Sequence, residues 1–587
     1  MSFLRLLGAA GALLLVLASP AAAHKRHHHH HHHHKPMDVK VQLLSINDFH
    51  GNLQTSTTGG IRLDPPPVQP APPAPQLPTS RPAGGAAILG SYVRELERGH
   101  RNSLFVAAGD LIGASPLVSA LYHDEPTIEA MNLLGLDLSS VGNHEFDEGE
   151  AELKRMQRGG CNPTDGCQTG HTFRGANFKY LAANVVRKDN AKTLFRPYAI
   201  RRFQGKKIGF IGMTLEGTPS IVSPSGISNL NFLDEAATAN RYARELRRKH
   251  GVKAIVVLLH EGGTQTPSTF NTNPATYTGC NGFTGPIVDI VNNTTDDVDL
   301  FITGHTHQAY DCVIDGRPVT SSSSAGRLLT DIDLTLGRNG DVKDVQTENL
   351  PMYSEGRKPV ASVDRLVKYY EERSRPVREE PVGRVAEDIT NDPEDTDDSR
   401  EFPLGNLIAD AQLAATGGDG DVALMNPGGV RNDLLTGVVT YEEAFNVQPF
   451  NNLVVTQTFT GAQLLDVLKD QWCGSAAVNV LLPSSTLTYT FDQSIATSIV
   501  NTPCASAANP VSNVKIADVP LDPAASYRVT TNNFLADGGD GFPSLTAGTN
   551  RTTLPGFDVD ALVAYLAPSE TGTPLKAPAT DRIDVMP

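Results

Sequence analysis

The 587-residue chain reads as a mixed α/β and α+β protein of two domains. Three observations predict this. Apolar runs of strand type alternate with segments of helical spacing through the first half, the pattern of an α/β or layered α-β domain. The length exceeds what one core organises. A charged helical segment, Val363 to Glu372, with Val363, Leu366 and Tyr370 on one side, lies between this half and a second series of strands and helices.

Composition narrows the class. Hydrophobic content of 39% and charged content of 19% are globular values, and the net charge is -16. This balance argues against a nucleic-acid polymer as main partner, because binding a phosphate backbone needs a basic surface. It does not exclude a small anionic substrate, held by a few local cations.

Residues 1–23 have the pattern of a secretory signal, with Arg5, the apolar run Leu6 to Leu17 and the cleavage-type triplet Ala21-Ala22-Ala23. The run is too short for a membrane anchor. Export to the periplasm, the cell envelope or the medium is expected, with no transmembrane anchor after cleavage. Residues 24–37, with His24 and His27 to His34, read as an expression tag or a disordered tract, ahead of a native metal-loading arm. The polar end, Pro568 to Pro587, carries no sign of a lipid-anchor tail.

Residues 38–355 form the first predicted domain. Val39 to Ile46 is a strand that ends at Asn47-Asp48-Phe49-His50. Residues 64–82 are proline-rich and are expected to be an exposed loop. Ile88, Leu89, Tyr92, Val93 and Leu96 recur at helical spacing, Leu104 to Ala108 is a short strand ending at Gly109-Asp110, and Pro126 to Leu134 reads as a helix. An apolar run, Leu133 to Val141, feeds Gly142-Asn143-His144-Glu145-Phe146-Asp147. Lys207 to Met213 is a strand. Asp234 to His250 is a helix with Asp234 as N-cap and Gly251 as stop. Ala254 to Leu259 ends at His260, and Val298 to Thr303 ends at Gly304-His305-Thr306-His307. Leu328 to Leu336 and Asp341 to Asn349 flank a turn, a hairpin signal.

Residues 356–380 are the linker helix and 381–587 the second domain. Asp392 to Arg400 is acidic and polar, a loop. A helix runs from Phe402 to Ala415. Strand Val422 to Met425 leads to the turn Asn426-Pro427-Gly428-Gly429-Val430-Arg431. Strand Asn452 to Phe459, helix Gly461 to Trp472 and strand Tyr527 to Thr531 follow. The six cysteines form an even set in an exported chain. Sequence neighbours would pair as Cys161–Cys167, Cys280–Cys312 and Cys473–Cys504, one of fifteen possible connectivities.

The first half gathers metal chemistry. Asp48, His50, Asp110, Asn143, His260, His305 and His307 are oxygen and nitrogen ligands, and each follows a strand-like run. In open α/β sheets such strand ends are where ligands gather. The set suits two divalent ions sharing a carboxylate. Imidazole favours Zn2+, with Mn2+, Co2+ or Ca2+ as alternatives. Two ions clamp the attacking and leaving oxygens of a phosphoryl displacement and lower the pKa of a shared water, giving hydroxide for in-line attack. His144 can donate or accept a proton near neutral pH, with Asp147 close enough in sequence to orient it.

These blocks resemble those of the calcineurin-like metallophosphoesterases, D-x-H, G-D, G-N-H-[DE], a lone H and G-H-x-H, all in family order. The resemblance implies a four-layer α/β/β/α catalytic domain. It implies one ion on Asp48, His50, Asp110 and His307, and a second on Asp110, Asn143, His260 and His305. His144, held by Asp147, would stabilise the phosphoryl charge or protonate the leaving oxygen.

The second half resembles the C-terminal domain of the 5'-nucleotidase family, to which UDP-sugar hydrolases also belong. The segments that carry this are Arg400-Glu401 through Gly405-Asn406, the Asn426 to Arg431 turn, Gln448-Pro449-Phe450, and Phe534-Leu535-Ala536-Asp537-Gly538-Gly539-Asp540. A nucleotide-binding α/β domain is implied, with Arg400, Asn426, Gly429, Arg431, Phe450, Phe534 and Asp540 at the substrate. Arginine forks suit a phosphate, and two phenylalanines suit a flat base. Gly538-Gly539 reads as a tight turn.

The expectation is an exported 5'-nucleotidase. The alternatives are a UDP-sugar hydrolase, a 2',3'-cyclic-nucleotide phosphodiesterase with 3'-nucleotidase activity, or a secreted nucleotide- or metal-binding protein without turnover. Metal and base sites lie on different domains, and the family resemblance implies that substrate is carried between them by a hinge near the Val363–Glu372 helix.

Overall fold

A computed structural model describes residues 38–55, 60–62, 80–266, 277–391, 399–474 and 478–586. The predicted signal (1–23) and the histidine-rich segment (24–37) lie outside the described residues, as do 63–79 of the proline-rich loop and 392–398 of the acidic one. The described end of the proline-rich stretch, Ser80–Pro82, is not loop. Gly60–Arg62 and Ser80–Pro82 pair as antiparallel strands.

Two six-stranded sheets build the first half. One runs Val342–Pro351, Leu328–Leu336, Val39–Ile46, Ser103–Ala108, Leu138–Ser140, Lys179–Leu181; the other runs Ala309–Ile314, Arg317–Ser322, Leu300–Thr303, Ala254–His260, Lys206–Thr214, Tyr198–Phe203. Side-chain alternation stacks them. In Val39–Ile46, residues Val41 and Leu43 meet Val256 and Leu258 of the other sheet, while Leu44 and Ile46 face helices. In Ala254–His260, residues Ile255, Val257 and Leu259 pack under the helices Glu235–His250 and Pro286–Asn292. Strands buried on both faces lose polar alternation, which is why this one is a continuous apolar run. Helices Ala86–Leu96, Glu125–Leu134 and Gly149–Arg158 cover the first sheet. The layers are α/β/β/α, as the resemblance implied.

Helix Glu235–His250 begins where expected. The Asp234 side chain accepts from Ala237 N–H at 2.6 Å, and Gly251 stops it with a left-handed φ of 60°. The Leu133 to Val141 run is divided. Its first residues end the helix Glu125–Leu134, Gly135 turns the chain at φ 84°, and only Leu138–Ser140 is strand.

The linking helix, Ala361–Arg378, lies inside the expected 356–380 and extends the Val363–Glu372 segment at both ends. It is a layer of the first half rather than a free connector. Val363, Val367 and Tyr370 join that half's core, and the Tyr370 hydroxyl donates to Glu129 at 2.9 Å. Its last turn reaches the second half, where Arg378 donates to Glu442 at 2.8 Å.

The second half has a five-stranded sheet, Leu482–Pro483, Val422–Met425, Ser526–Asn532, Leu453–Thr460, Thr549–Phe557, and a four-stranded one around Leu487–Asp492. Helices Pro403–Ala415, Tyr441–Val447 and Asp558–Leu566 pack together. The cysteines form Cys161–Cys167, Cys280–Cys312 and Cys473–Cys504, the neighbour pairs.

Candidate active site

Parallel strands bring the ligand-type residues together. Val39–Ile46, Ser103–Ala108 and Leu138–Ser140 run parallel in one sheet, Ala254–His260 and Leu300–Thr303 in the other. Their carboxyl ends deliver Asp48 and His50, Asp110, Asn143 and His144, His260, and His305 and His307 to one place. His50 Nε2 lies 3.0 Å from His307 Nε2, and His307 Nε2 lies 3.4 Å from Asp48 Oδ1. Asn143 Oδ1 is 3.2 Å from His260 Nε2 and 3.0 Å from His305 Nδ1. Asp110 Oδ2 belongs to both groups, at 2.8 Å from His260 Nε2 and 3.7 Å from His50 Nε2.

The backbone is bent to make this possible. Asp48, His50, Asp110, His305 and His307 all hold left-handed φ, between 47° and 73°. Such conformations cost L-residues free energy and concentrate at functional sites. A Cβ on Gly142 would run into the Asp110 carboxylate, which accounts for the glycine before Asn143. Glu145, buried, ties the two loops. Its carboxylate accepts from the N–H of Asp110 and Leu111 at 2.9 Å each and of Gly142 at 2.5 Å. Asn47 does the same for another pair, donating to Asp48 Oδ2 at 2.6 Å and accepting from Ser322 N–H at 2.8 Å.

The donor set fits cations. His50 Nδ1 is engaged with the Gly113 carbonyl at 2.8 Å and His260 Nδ1 with the Ala108 carbonyl at 2.7 Å. Each Nδ1 must then be the donor, which leaves a lone pair on Nε2, turned toward carboxylate and amide oxygens. Only a proton or a metal ion relieves that arrangement. Burial holds His50 and His305 down to about 3, which keeps both imidazoles neutral. Burial also pulls on His260, but Asp110 outweighs it and pushes the imidazole up to about 10. The His260–Asp110 contact thus takes up a positive charge between its partners.

His144 stands beside this set. Its Nδ1 pairs with Asp147 Oδ2 at 2.8 Å, which leaves Nε2 for the cleft. Burial lowers its pKa, yet Asp147 and Asp110 reverse the sign and raise it. Its backbone N–H donates to Asp110 Oδ1 at 2.9 Å.

The second half closes the other side. A cleft of about 330 Å³ is lined by Asn143, His144 and His305 from one half and by Asn426, Gly429, Arg431, Phe450, Phe534 and Asp540 from the other. The metal-type and base-type residues come from different halves, as expected, and in this conformation both sets face one cleft. Asn426 Nδ2 donates to Asp540 Oδ2 at 2.6 Å, and Asn532 Nδ2 donates to Asn426 Oδ1 at 2.9 Å. Burial lowers the Arg431 pKa, opposed by Asp110, Asp147 and Asp48, which places this cation among the acids of the first half. Gly538 turns the chain at φ 88°, and a Cβ on Gly539 would strike the Phe534 ring.

Arg400 is the predicted substrate residue that the structure leaves out of the cleft. It is exposed and donates to the Val478 carbonyl at 3.1 Å. A motif match carried its assignment, and a motif does not fix where a long side chain points. Sequence reasoning missed Ile221, Val222, Ser223 and Asn452, which line the cleft. Small apolar and polar side chains in a loop give no ligand signal. Glu145 stood inside the quoted block, and an acid directly after a histidine was the available clue.

Residues 41–309 match the calcineurin-like phosphoesterase family and residues 381–547 the 5'-nucleotidase C-terminal domain. The chain is 31% identical over 538 residues to Endonuclease YhcR of Bacillus subtilis, covering 90% of this chain and 40% of that protein. It is 31% identical over 557 residues to Cell wall protein Lmo0130 of Listeria monocytogenes, covering 90% of this chain and 67% of that one. It thus spans under half of the first relative. It superposes on the crystal structure of a 5'-nucleotidase precursor from Thermus thermophilus with a TM-score of 0.71 at 26% identity, covering 93% of this chain and 99% of that one.

Proposed function

The chain belongs to the 5'-nucleotidase family of calcineurin-like phosphoesterases, and from that premise we infer that it is a metal-dependent phosphohydrolase converting 5'-nucleotides to nucleoside and phosphate. The observation that carries this reading is the shared cleft, with the Asp110 donor groups on one wall and Arg431, Phe450 and Phe534 on the other. Residues 38–355 form the catalytic domain, 356–380 the linking helix and 381–587 the substrate domain.

Asp48, His50, Asp110 and His307 would hold one divalent ion, and Asp110, Asn143, His260 and His305 a second, with Zn2+ favoured by ligand chemistry. When bound, the ions supply Lewis acidity and an activated water at phosphorus. Arg431 grips the phosphate. Phe450 and Phe534 hold the base, while Asn426 and Asp540 meet the ribose hydroxyls. His144, turned by Asp147, offers its Nε2 proton to the phosphoryl or leaving oxygen. The left-handed ligand loops hold these groups ready before substrate arrives.

The cleft, of about 330 Å³, lies within the range of small-ligand pockets. Export to the cell envelope is supported by the paired cysteines, the signal-like residues 1–23 and the similarity to the Listeria monocytogenes cell wall protein. Among the described residues no helix is long and apolar enough to cross a membrane. Turnover of AMP, UDP-glucose and 2',3'-cyclic AMP, followed as substrate loss with and without added divalent metal, tests the reading. Faster turnover of UDP-glucose or of the cyclic nucleotide than of AMP would overturn it.

A further inference from the structure

Phe450 is carried by the irregular segment 448–452, between helix Tyr441–Val447 and strand Leu453–Thr460. What fixes this segment lies behind it. Gln448 is fully buried, and its Nε2 donates to Asp558 Oδ2 at 3.3 Å. The Asp558 backbone N–H donates to the Asn452 carbonyl at 2.7 Å. Asp558 opens the helix Asp558–Leu566, is 1% exposed, and accepts from Val559 N–H at 3.0 Å through Oδ1. One carboxylate residue thus touches both ends of the segment that bears the ring, without lining the cleft itself.

The position is a costly one for an acid. Burial pushes the Asp558 carboxyl up to about 7, and no basic side chain pairs with it among the described residues. An apolar residue would pack there without that desolvation. What the carboxylate does that an apolar residue would not is accept from Gln448 and from the Asn452 side chain, as well as from Val559 N–H in its own helix. A further bond ties the two aromatic segments together: Leu453 N–H, next to Asn452, donates to Asn533 Oδ1, next to Phe534, at 2.6 Å.

We propose that Asp558 is a positioning residue for the base: by holding Gln448 and Asn452 it fixes how Phe450 meets the cleft, and so sets the preference for phosphomonoesters that carry a flat base. This rests on the nucleotide reading above.

The test compares AMP with ribose 5-phosphate, which has the phosphate and sugar but no base. In Asp558→Ala, KM for AMP rises about tenfold, the scale of one lost stacking contact, kcat is unchanged, and ribose 5-phosphate kinetics are unchanged. Asp558→Asn restores KM for AMP, because its side-chain oxygen still accepts from Gln448. Gln448→Met reproduces the rise, and the double variant shows no further loss; it also carries the comparison should Asp558→Ala fail to fold. An Asp558→Ala enzyme with unaltered KM for AMP, or with equal losses on both substrates, overturns the positioning role alone. Wild-type enzyme that does not prefer AMP to ribose 5-phosphate overturns the base-binding reading and this inference with it.

Discussion

The rings of His144 and Phe450 lie 5.8 Å apart, centroid to centroid, and within 25° of parallel. His144 follows a strand of the first half and Phe450 precedes a strand of the second. The proton-bearing group and one aromatic wall are therefore neighbours across the boundary between halves. Arg431 sits on the same ring, its guanidinium carbon 5.9 Å from the Phe450 centroid.

Removing the imidazole isolates its role. His144→Ala is expected to lower kcat by about 10²–10⁴-fold, the range for a positioned acid or charge stabiliser. Metal content, measured on the purified variant by atomic absorption, should match the wild type. Loss of metal in step with activity would make His144 a ligand instead.

Phe534→Ala removes one aromatic face from the cleft. About 1–3 kcal/mol of stacking corresponds to a rise in KM for AMP of about 5- to 150-fold. The check is steady-state kinetics on AMP and on ribose 5-phosphate, whose KM should not move.

Glu145 grips three backbone N–H groups with two oxygens. Glu145→Gln conserves shape but sets an NH2 group against an N–H donor. Metal affinity should drop about 10- to 100-fold, as for other groups that orient ligands. Competition with a chromophoric chelator reads this directly, and an unchanged affinity would assign Glu145 to packing only.

Full chelation should abolish phosphate release, and added Zn2+ or Mn2+ should restore it. Turnover that persists after exhaustive dialysis against chelator would end the metal reading. Ranking restored rates by metal identifies the ion that works best.

His123 gives a pH prediction away from the cleft. Glu148, at 2.8 Å, pushes it up to about 9, with a further contact to Asp165 on the Cys161–Cys167 loop. A folded-state pKa above the unfolded value of about 6.5 stabilises the fold fully below pH 6.5. That contribution fades as pH rises through about 9. The Tm difference between wild type and His123→Gln should be largest at acid pH and vanish above about pH 9. A difference that is constant with pH would rule out the charge as its source.

The sequence was most readable where burial leaves a periodic or unbroken apolar trace. Val39–Ile46 and Ala254–His260 belong to this class, and their ends carried the metal-type side chains. It was least readable where structure depends on partners distant in the chain. Leu138–Ser140 is a strand through pairing on both edges, since three residues hold no period. Asp558 and Ile221 gave no signal because their roles come from packing against segments far along the chain. Arg400 failed in the opposite way, since a matching motif did not bring its side chain into the cleft.

Each disulfide joins cysteines only 6, 32 or 31 positions apart, and each lies within a single half. Oxidation can thus finish in the first half while the second is still being synthesised, with no need to reshuffle a long-range pairing. A reducing environment would, by the same connectivity, slacken three local loops and leave the assembly of the halves to their noncovalent contacts.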